Sequence, residues 1–415
     1  MRRVAITGTG LIAPGGNTVK EFFDALILGR SQVRKISGAH FERLVAPIAA
    51  TVSFDAADYF PAPKLRMLDR VSQFALAAAR QALSTARLEP AMISGARCGV
   101  FLGTGMGGAQ TTDDGYHTVY AQQSDRVKPF TVLMAMNNAP AAWIASEFAL
   151  TGPCLTYSTA CSSSAVAIGE AARRIACGDL DVMLAGGAEA PLTFGTLKAW
   201  EALHTIAKVD AVDVSASCKP FSRDRSGMVL GEGAAVIMLE EWGHAISRGA
   251  TILAEFIGYG LATDNLHLTK PTVAGQAAAM RAALLQAQIQ AQLPLGTIGY
   301  INAHGTGTLA NDAVETAAIK EVFQGQAYKI PVSSTKSMHG HLLGAAGALE
   351  FIIALQTLQH HQIPPTMHLN QPDPVCDLNF VANIAQAVLP IEAVMSNSFA
   401  FGGTNVSLIA RRTHR

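Results

Sequence analysis

Along the chain, short apolar runs alternate with longer stretches whose apolar positions recur at helical spacing. The runs Val4–Ile6, Cys98–Leu102, Val182–Leu184, Ala235–Leu239, Ile252–Ile257, Ile298–Ile301, Pro331–Ser333 and Val406–Ala410 read as buried strands, several of them bounded by glycine turns. Alanine-rich stretches at Val71–Ala86, Ser162–Ala176, Gly275–Gln290, Ala313–Phe323 and Leu342–Leu358 read as helices, with Phe74, Ala75, Ala78 and Leu83 at helical spacing in the first. This alternation predicts an α/β chain with a mostly parallel, helix-covered sheet. On either side of Ser247-Arg248-Gly249-Ala250, a strand-rich segment precedes helices and a glycine-bounded loop. Two similar halves are expected, residues 1–250 and 251–415.

Composition narrows the class. The 415 residues are 49% hydrophobic and 15% charged, enough apolar material for a substantial core. Lys+Arg and Asp+Glu both number 31, so no general attraction to nucleic acid or an anionic membrane is expected. The six cysteines form no CxxC pair, which argues against a disulfide framework or zinc ribbon and for reduced thiols. The basic start Met1-Arg2-Arg3 meets Thr7-Gly8-Thr9-Gly10 too early for a signal core, and the apolar stretch Leu342–Leu358 carries Glu350. A cytoplasmic protein with no membrane span is expected. Gly8-Thr9-Gly10-Leu11-Ile12-Ala13 has dinucleotide-binding spacing, but no acidic residue stands at the end of a second strand. A structural turn is expected there, and no bound cofactor.

Three segments carry candidate chemistry. Cys161 follows Ser158-Thr159-Ala160 and precedes a helix, a setting in which free N–H groups and the helix dipole favour thiolate. A buried inert cysteine is the alternative. Cys154 and Cys177 lack the small neighbours and read as core. His304 stands after a strand, in Ile301-Asn302-Ala303-His304-Gly305-Thr306-Gly307-Thr308, and reads as a ligand-facing or an inert loop histidine. Asp312 and Glu315 then open a helix near its positive end. His341 ends Lys336-Ser337-Met338-His339-Gly340-His341 before another helix, with Lys336 and Glu350 as evident charge partners. The His339/His341 spacing matches no common metal pair, and no metal is expected.

One cysteine with two histidines suits carbon–carbon bond formation. Loss of CO2 from a malonyl thioester generates a carbanion at neutral pH if two neutral imidazoles stabilise the enolate oxygen, while the cysteine holds the growing chain. A cysteine protease would need one histidine and an orienting Asn or Asp.

These blocks, with Asn397-Ser398-Phe399-Ala400-Phe401-Gly402-Gly403-Thr404-Asn405, resemble the β-ketoacyl-acyl-carrier-protein synthases of the thiolase-like fold, nearly end to end. The resemblance implies a five-layered α-β-α-β-α fold of two duplicated halves, usually dimeric. It implies that Cys161 is acylated and that His304 and His341 serve decarboxylation and condensation, organised by Lys336 and Glu350. It implies an oxyanion hole from the backbone N–H groups of Cys161 and Phe401, with Phe401 also a gate. Thr306 and Thr308 would bind a phosphopantetheine arm delivered on an acyl carrier protein. Met106 and Phe399 would shape the substrate pocket, and Lys64, Arg66, Arg70 and Lys208 would dock the carrier.

Cys161-Ser162-Ser163-Ser164 is similar to polyketide synthase modules, whereas Lys336–Gly347 is similar to stand-alone fatty-acid enzymes. His339 is an unusual third histidine. A related thiolase-like enzyme acting on coenzyme A thioesters would carry a second cysteine where this chain has Phe401. A chain-length-setting subunit would lack the nucleophile, so this chain would be the active member of a heterodimer, or one half of a homodimer. The sequence ends at Arg415 without acyltransferase, reductase or carrier segments, so a separate carrier is expected to bring the extender.

Overall fold

Strand-forming runs and helical stretches assemble into one ten-stranded sheet with helices on its faces. The computed structural model describes residues 1–413 apart from Ser94 and Ala96. In chain order the first half contributes β1 (Val4–Ile12), α1 (Arg70–Ala86), β2 (Cys98–Gly103), β3 (Cys154–Tyr157), α2 (Ser163–Ala176), β4 (Val182–Glu189), α3 (Phe194–Ala202) and β5 (Gly233–Glu241). The second contributes β6 (Ala254–Thr263), α4 (Val273–Ala291), β7 (Ile298–Asn302), α5 (Leu309–Phe323), β8 (Val332–Ser333), α6 (Ala346–His360), β9 (Ala393–Phe399) and β10 (Thr404–Arg411).

The strand order is β8-β7-β9-β10-β6-β1-β5-β4-β2-β3. Read from each outer edge, both halves follow one plan: two parallel pairs, then two antiparallel pairs. The halves join where Val4–Ile6 of β1 runs antiparallel to Ala254–Phe256 of β6. Helix α1 covers the outer face of the first half and α4 with α5 that of the second; α2 and α6 pack between the two sets of strands. This is the five-layered thiolase-like arrangement.

Three expectations need correction. The sheet is mixed rather than mostly parallel, because β9 and β10 are joined by residues 400–403 alone, and a connection so short permits only antiparallel pairing. Gly8 and Gly10 form no turn but lie inside β1. A Cβ on either would stand 2.2 Å from a carbonyl oxygen of α1, at Ala82 and Ala78 respectively. Gly260 in β6 repeats this against Ala279 of α4, at 1.9 Å. Glycine here lets a helix backbone lie directly on a strand. Finally, Cys154 and Cys177 are exposed rather than core. Cys154 lies on β3, which ends the sheet and has one open edge.

Candidate active site

The plan of the halves dictates how three distant side chains meet. Cys161 lies between β3 and α2, and His341 holds the corresponding place between β8 and α6. The central helices α2 and α6 pack on each other, so the turns before them face one another. His304 follows β7, the strand beside β8. As a result, the Cys161 sulfur and one ring nitrogen from each of His304 and His341 lie within 4.8 Å of one another, all three residues buried.

The cysteine sits on a strained turn. Ala160 has φ 50°, rare for a residue with a side chain, and Ser163 Oγ holds the turn by donating to the Ala160 carbonyl at 2.6 Å and accepting the Thr159 N–H at 2.9 Å. The expected thiolate is not what this setting favours. Cys161 lies in a 3₁₀ turn ahead of α2, and burial pushes its thiol up to about 12, against the opposing pull of Lys336 and the Phe401 N–H. The sulfur therefore rests as a thiol and must give up its proton as it attacks.

His304 is held from both sides. Its N–H and that of Gly305 each donate to the Glu315 carboxylate at 2.8 Å, and its carbonyl accepts from Lys336 Nζ at 2.6 Å. Lys336 Nζ also lies 3.5 Å from His304 Nδ1 and pairs with Glu350 Oε1. An ammonium can only donate, so Nδ1 is the acceptor and Nε2 carries the proton. The N–H toward the cavity is thereby assigned. Burial pushes Glu315 and Glu350 up to about 7 each.

His341 is anchored through its backbone, its N–H donating to Val229 O at 2.7 Å and its carbonyl accepting from Gly231 at 2.9 Å. Among the described residues, neither ring nitrogen has a partner. A buried unpaired imidazole facing a thiol is a place for substrate atoms. Its ring lies 5.4 Å from that of His304, nearly perpendicular to it. Burial, reinforced by Lys336, holds both imidazoles well below the ordinary histidine range. A depressed folded value means the neutral rings persist as pH falls from 8 to 6. Any activity that depends on them should show no loss over that interval with a midpoint near 6.5, measured as initial rate against pH in constant-ionic-strength buffers.

The cavity over the sulfur is lined by Thr306, Thr308, Phe399 and Phe401 as well as the triad. The two threonine hydroxyls share a hydrogen bond at 2.8 Å, and the Phe399 ring meets His304 edge-on at 6.2 Å. The Phe401 N–H donates to the Cys161 sulfur. His339 stays out of the cavity: it is fully buried, Nε2 bonds Thr335 Oγ1 at 2.9 Å, and its ring packs near Phe22.

Other candidates are not brought together. Met106 is 40% exposed and is not among the residues lining this cavity in the single chain. Its loop is fixed by Glu189, whose buried carboxylate accepts the N–H groups of Gly105, Met106 and Gly344. The expected basic patch is also reduced. Lys64 pairs with Glu147, and Arg70 makes a bidentate pair with Glu232 at 2.8 Å, leaving Arg66 exposed; Lys208 is exposed on a separate segment. Sequence reading missed the roles of Glu189 and Glu315. Their signal was an acidic residue at the end of an otherwise apolar, glycine-rich strand and one in a helix just after a reactive loop.

Models of the β-ketoacyl synthase N-terminal and C-terminal domains match residues 1–245 and 253–370. The chain is 41% identical over 417 residues to a protein named 3-oxoacyl-[acyl-carrier-protein] synthase 2 of Coxiella burnetii, covering 99% of each. It is 40% identical over 407 residues to Nodulation protein E of Rhizobium meliloti, covering 98% of each. Among solved structures, the ishigamide ketosynthase/chain length factor superposes with a TM-score of 0.92 at 32% identity, covering 100% of each chain.

Proposed function

This chain belongs to the β-ketoacyl synthase family, and from that premise we propose how its residues carry out a decarboxylative condensation. The reaction joins an acyl group to the two-carbon unit of malonyl-acyl-carrier protein, giving CO2 and a 3-oxoacyl-acyl-carrier protein, in fatty-acid or polyketide elongation. The observation that carries the residue assignment is the meeting of one thiol and two neutral imidazoles within 4.8 Å.

In the first step the Cys161 sulfur attacks the acyl thioester carbonyl while the unpartnered His341 ring accepts its proton, and the carrier thiol leaves with a proton. Malonyl-carrier then enters beside Thr306 and Thr308, whose hydroxyls suit the amide-rich phosphopantetheine arm. Its carboxylate leaves as CO2, and the bonding electrons move into an enolate whose oxygen accepts the N–H groups of His304 and His341. The enolate carbon attacks the Cys161 thioester. The oxyanion formed there is held by the N–H groups of Cys161 and Phe401, and its collapse expels the sulfur as a thiolate, which takes up a proton from solvent to restore the thiol. Phe401 acts as the gate, Phe399 as a pocket wall, and Arg66 and Lys208 as carrier-docking cations.

The partner subunit is an identical chain or a homologue of the chain-length-factor kind. Strand β3 offers an open edge, with Leu155 and Cys154 exposed on it. Native mass spectrometry of the purified protein distinguishes the two assemblies.

The test is reconstitution with acyl- and malonyl-carrier protein, reading CO2 and the 3-oxoacyl product together. Product at one equivalent of CO2 supports the reading; acyl transfer to free coenzyme A without CO2 release would replace it with thiolase-like chemistry.

A further inference from the structure

The apolar side chains beside the nucleophile make and break no bond in the condensation, yet they form a defined cluster. Cys161 clusters with Leu44, Leu197, Met228 and Leu343, and the half-buried rings of Trp200 and Phe401 pack against that cluster. The two rings face each other, with centroids 6.0 Å apart and planes at 24°, an offset stack.

Their supports differ. Trp200 is on α3, whose start is capped by Thr193. On either side of it, Glu201 accepts the N–H groups of Val45 and Ala46 at 2.6 and 3.0 Å, and Lys198 donates to the Arg43 carbonyl at 3.0 Å. The helix is thus tied down next to the indole. Phe401 stands on the hairpin loop 400–403, followed by Gly402 and Gly403 in left-handed conformation at φ 82° and 83°. Besides the Phe401 N–H on the Cys161 sulfur, the loop's bonds outside its own hairpin, Gly402 N–H to Leu268 O and Asp264 N–H to Gly403 O, reach a segment where Leu266 and Leu268 are more than three-quarters exposed. One ring rests on a clamped helix and the other on a glycine loop.

We propose that Trp200 is a positioning residue for acyl-size selection: its indole is the fixed seat against which Phe401 closes over the Cys161 chamber. A two-carbon acyl group fits with the rings together, whereas a long chain must part them. The stack therefore sets a penalty that grows with acyl length. This inference rests on the assignment of Phe401 as gate.

The test uses the full-length protein and acetyl and decanoyl thioesters of N-acetylcysteamine, following acylation of Cys161 by intact mass. Trp200→Ala and Phe401→Ala should each raise the decanoyl-to-acetyl rate ratio about 3- to 10-fold, the range that an aromatic pair's energy allows. Trp200→Phe, which keeps a ring, should stay near wild type. The double variant should show no more than the larger single effect, because the two residues act as one device. A ratio unchanged in Trp200→Ala but shifted in Phe401→Ala would overturn the seat and leave the gate standing. Effects that add fully in the double variant would also overturn it, since Trp200 would then act without Phe401. No shift in either variant would remove both the seat and the gate. Trp200→Leu replaces the alanine variant if that one fails to fold.

Discussion

Replacing His341 or His304 by alanine should lower CO2 release from malonyl-carrier protein by about 10²–10³-fold each, while Cys161 can still be loaded from a reactive acyl thioester in the His304 variant. The expectation follows from how each ring is held. His304 has its Nδ1 beside Lys336 Nζ, which leaves Nε2–H for the substrate, and His341 has two ring nitrogens with no partner among the described residues. Each ring supplies one donor to an enolate oxygen in a buried cavity, where a hydrogen bond is worth more than in water. The variants separate two roles. In His341→Ala, Cys161 acylation should also slow, because the thiol, pushed up to about 12 by burial, loses its nearest free base. Radiometric CO2 release and intact mass of the acyl-enzyme read the two steps independently. Unchanged CO2 release in both variants would remove the enolate role.

Lys336→Met should cause the largest loss of stability, about 3–5 kcal/mol, because it leaves the Glu350 carboxylate fully buried without its cation. It should abolish condensation as well, since the same ammonium fixes the His304 carbonyl and tautomer. The pairing of Lys336→Met with Glu350→Gln separates these effects. Removing both charges should recover much of the stability in urea unfolding, yet activity should stay low because His304 still lacks its donor. Recovery of both would reduce Lys336 to a structural cation.

The chemistry was more legible in the sequence than the architecture. Cys161, His304 and His341 each stand at a strand-to-helix junction among glycines and small residues, a local pattern that survives without knowledge of the fold. Strand β9 was invisible because, although it is buried on both faces, its residues include Ser396, Asn397 and Ser398, so no apolar run marks it. Gly8 and Gly10 imitated a turn because a residue without a side chain looks the same in a turn as under a close-packed helix. Cys154 and Cys177 were misplaced because their neighbours are apolar while their own positions, on an edge strand and at a helix end, face outward. The thiolate expectation weighed the helix terminus and missed the burial, which only the packed chamber reveals. Lys64 and Arg70 read as free cations because Glu147 and Glu232 are remote in sequence. Glu189 and Glu315 stand out in the sequence as acidic residues beside apolar or reactive segments, but nothing there marks which backbone N–H groups they hold.

The most direct measurement is peptide mass spectrometry of the protein after incubation with an acyl-acyl-carrier protein, which leaves a thioester on the attacking sulfur. One adduct per chain on the peptide containing Cys161, displaced on adding malonyl-carrier protein, is the predicted result. An adduct mainly on the exposed Cys154 or Cys177, or a Cys161 adduct that malonyl-carrier protein leaves in place, would contradict it.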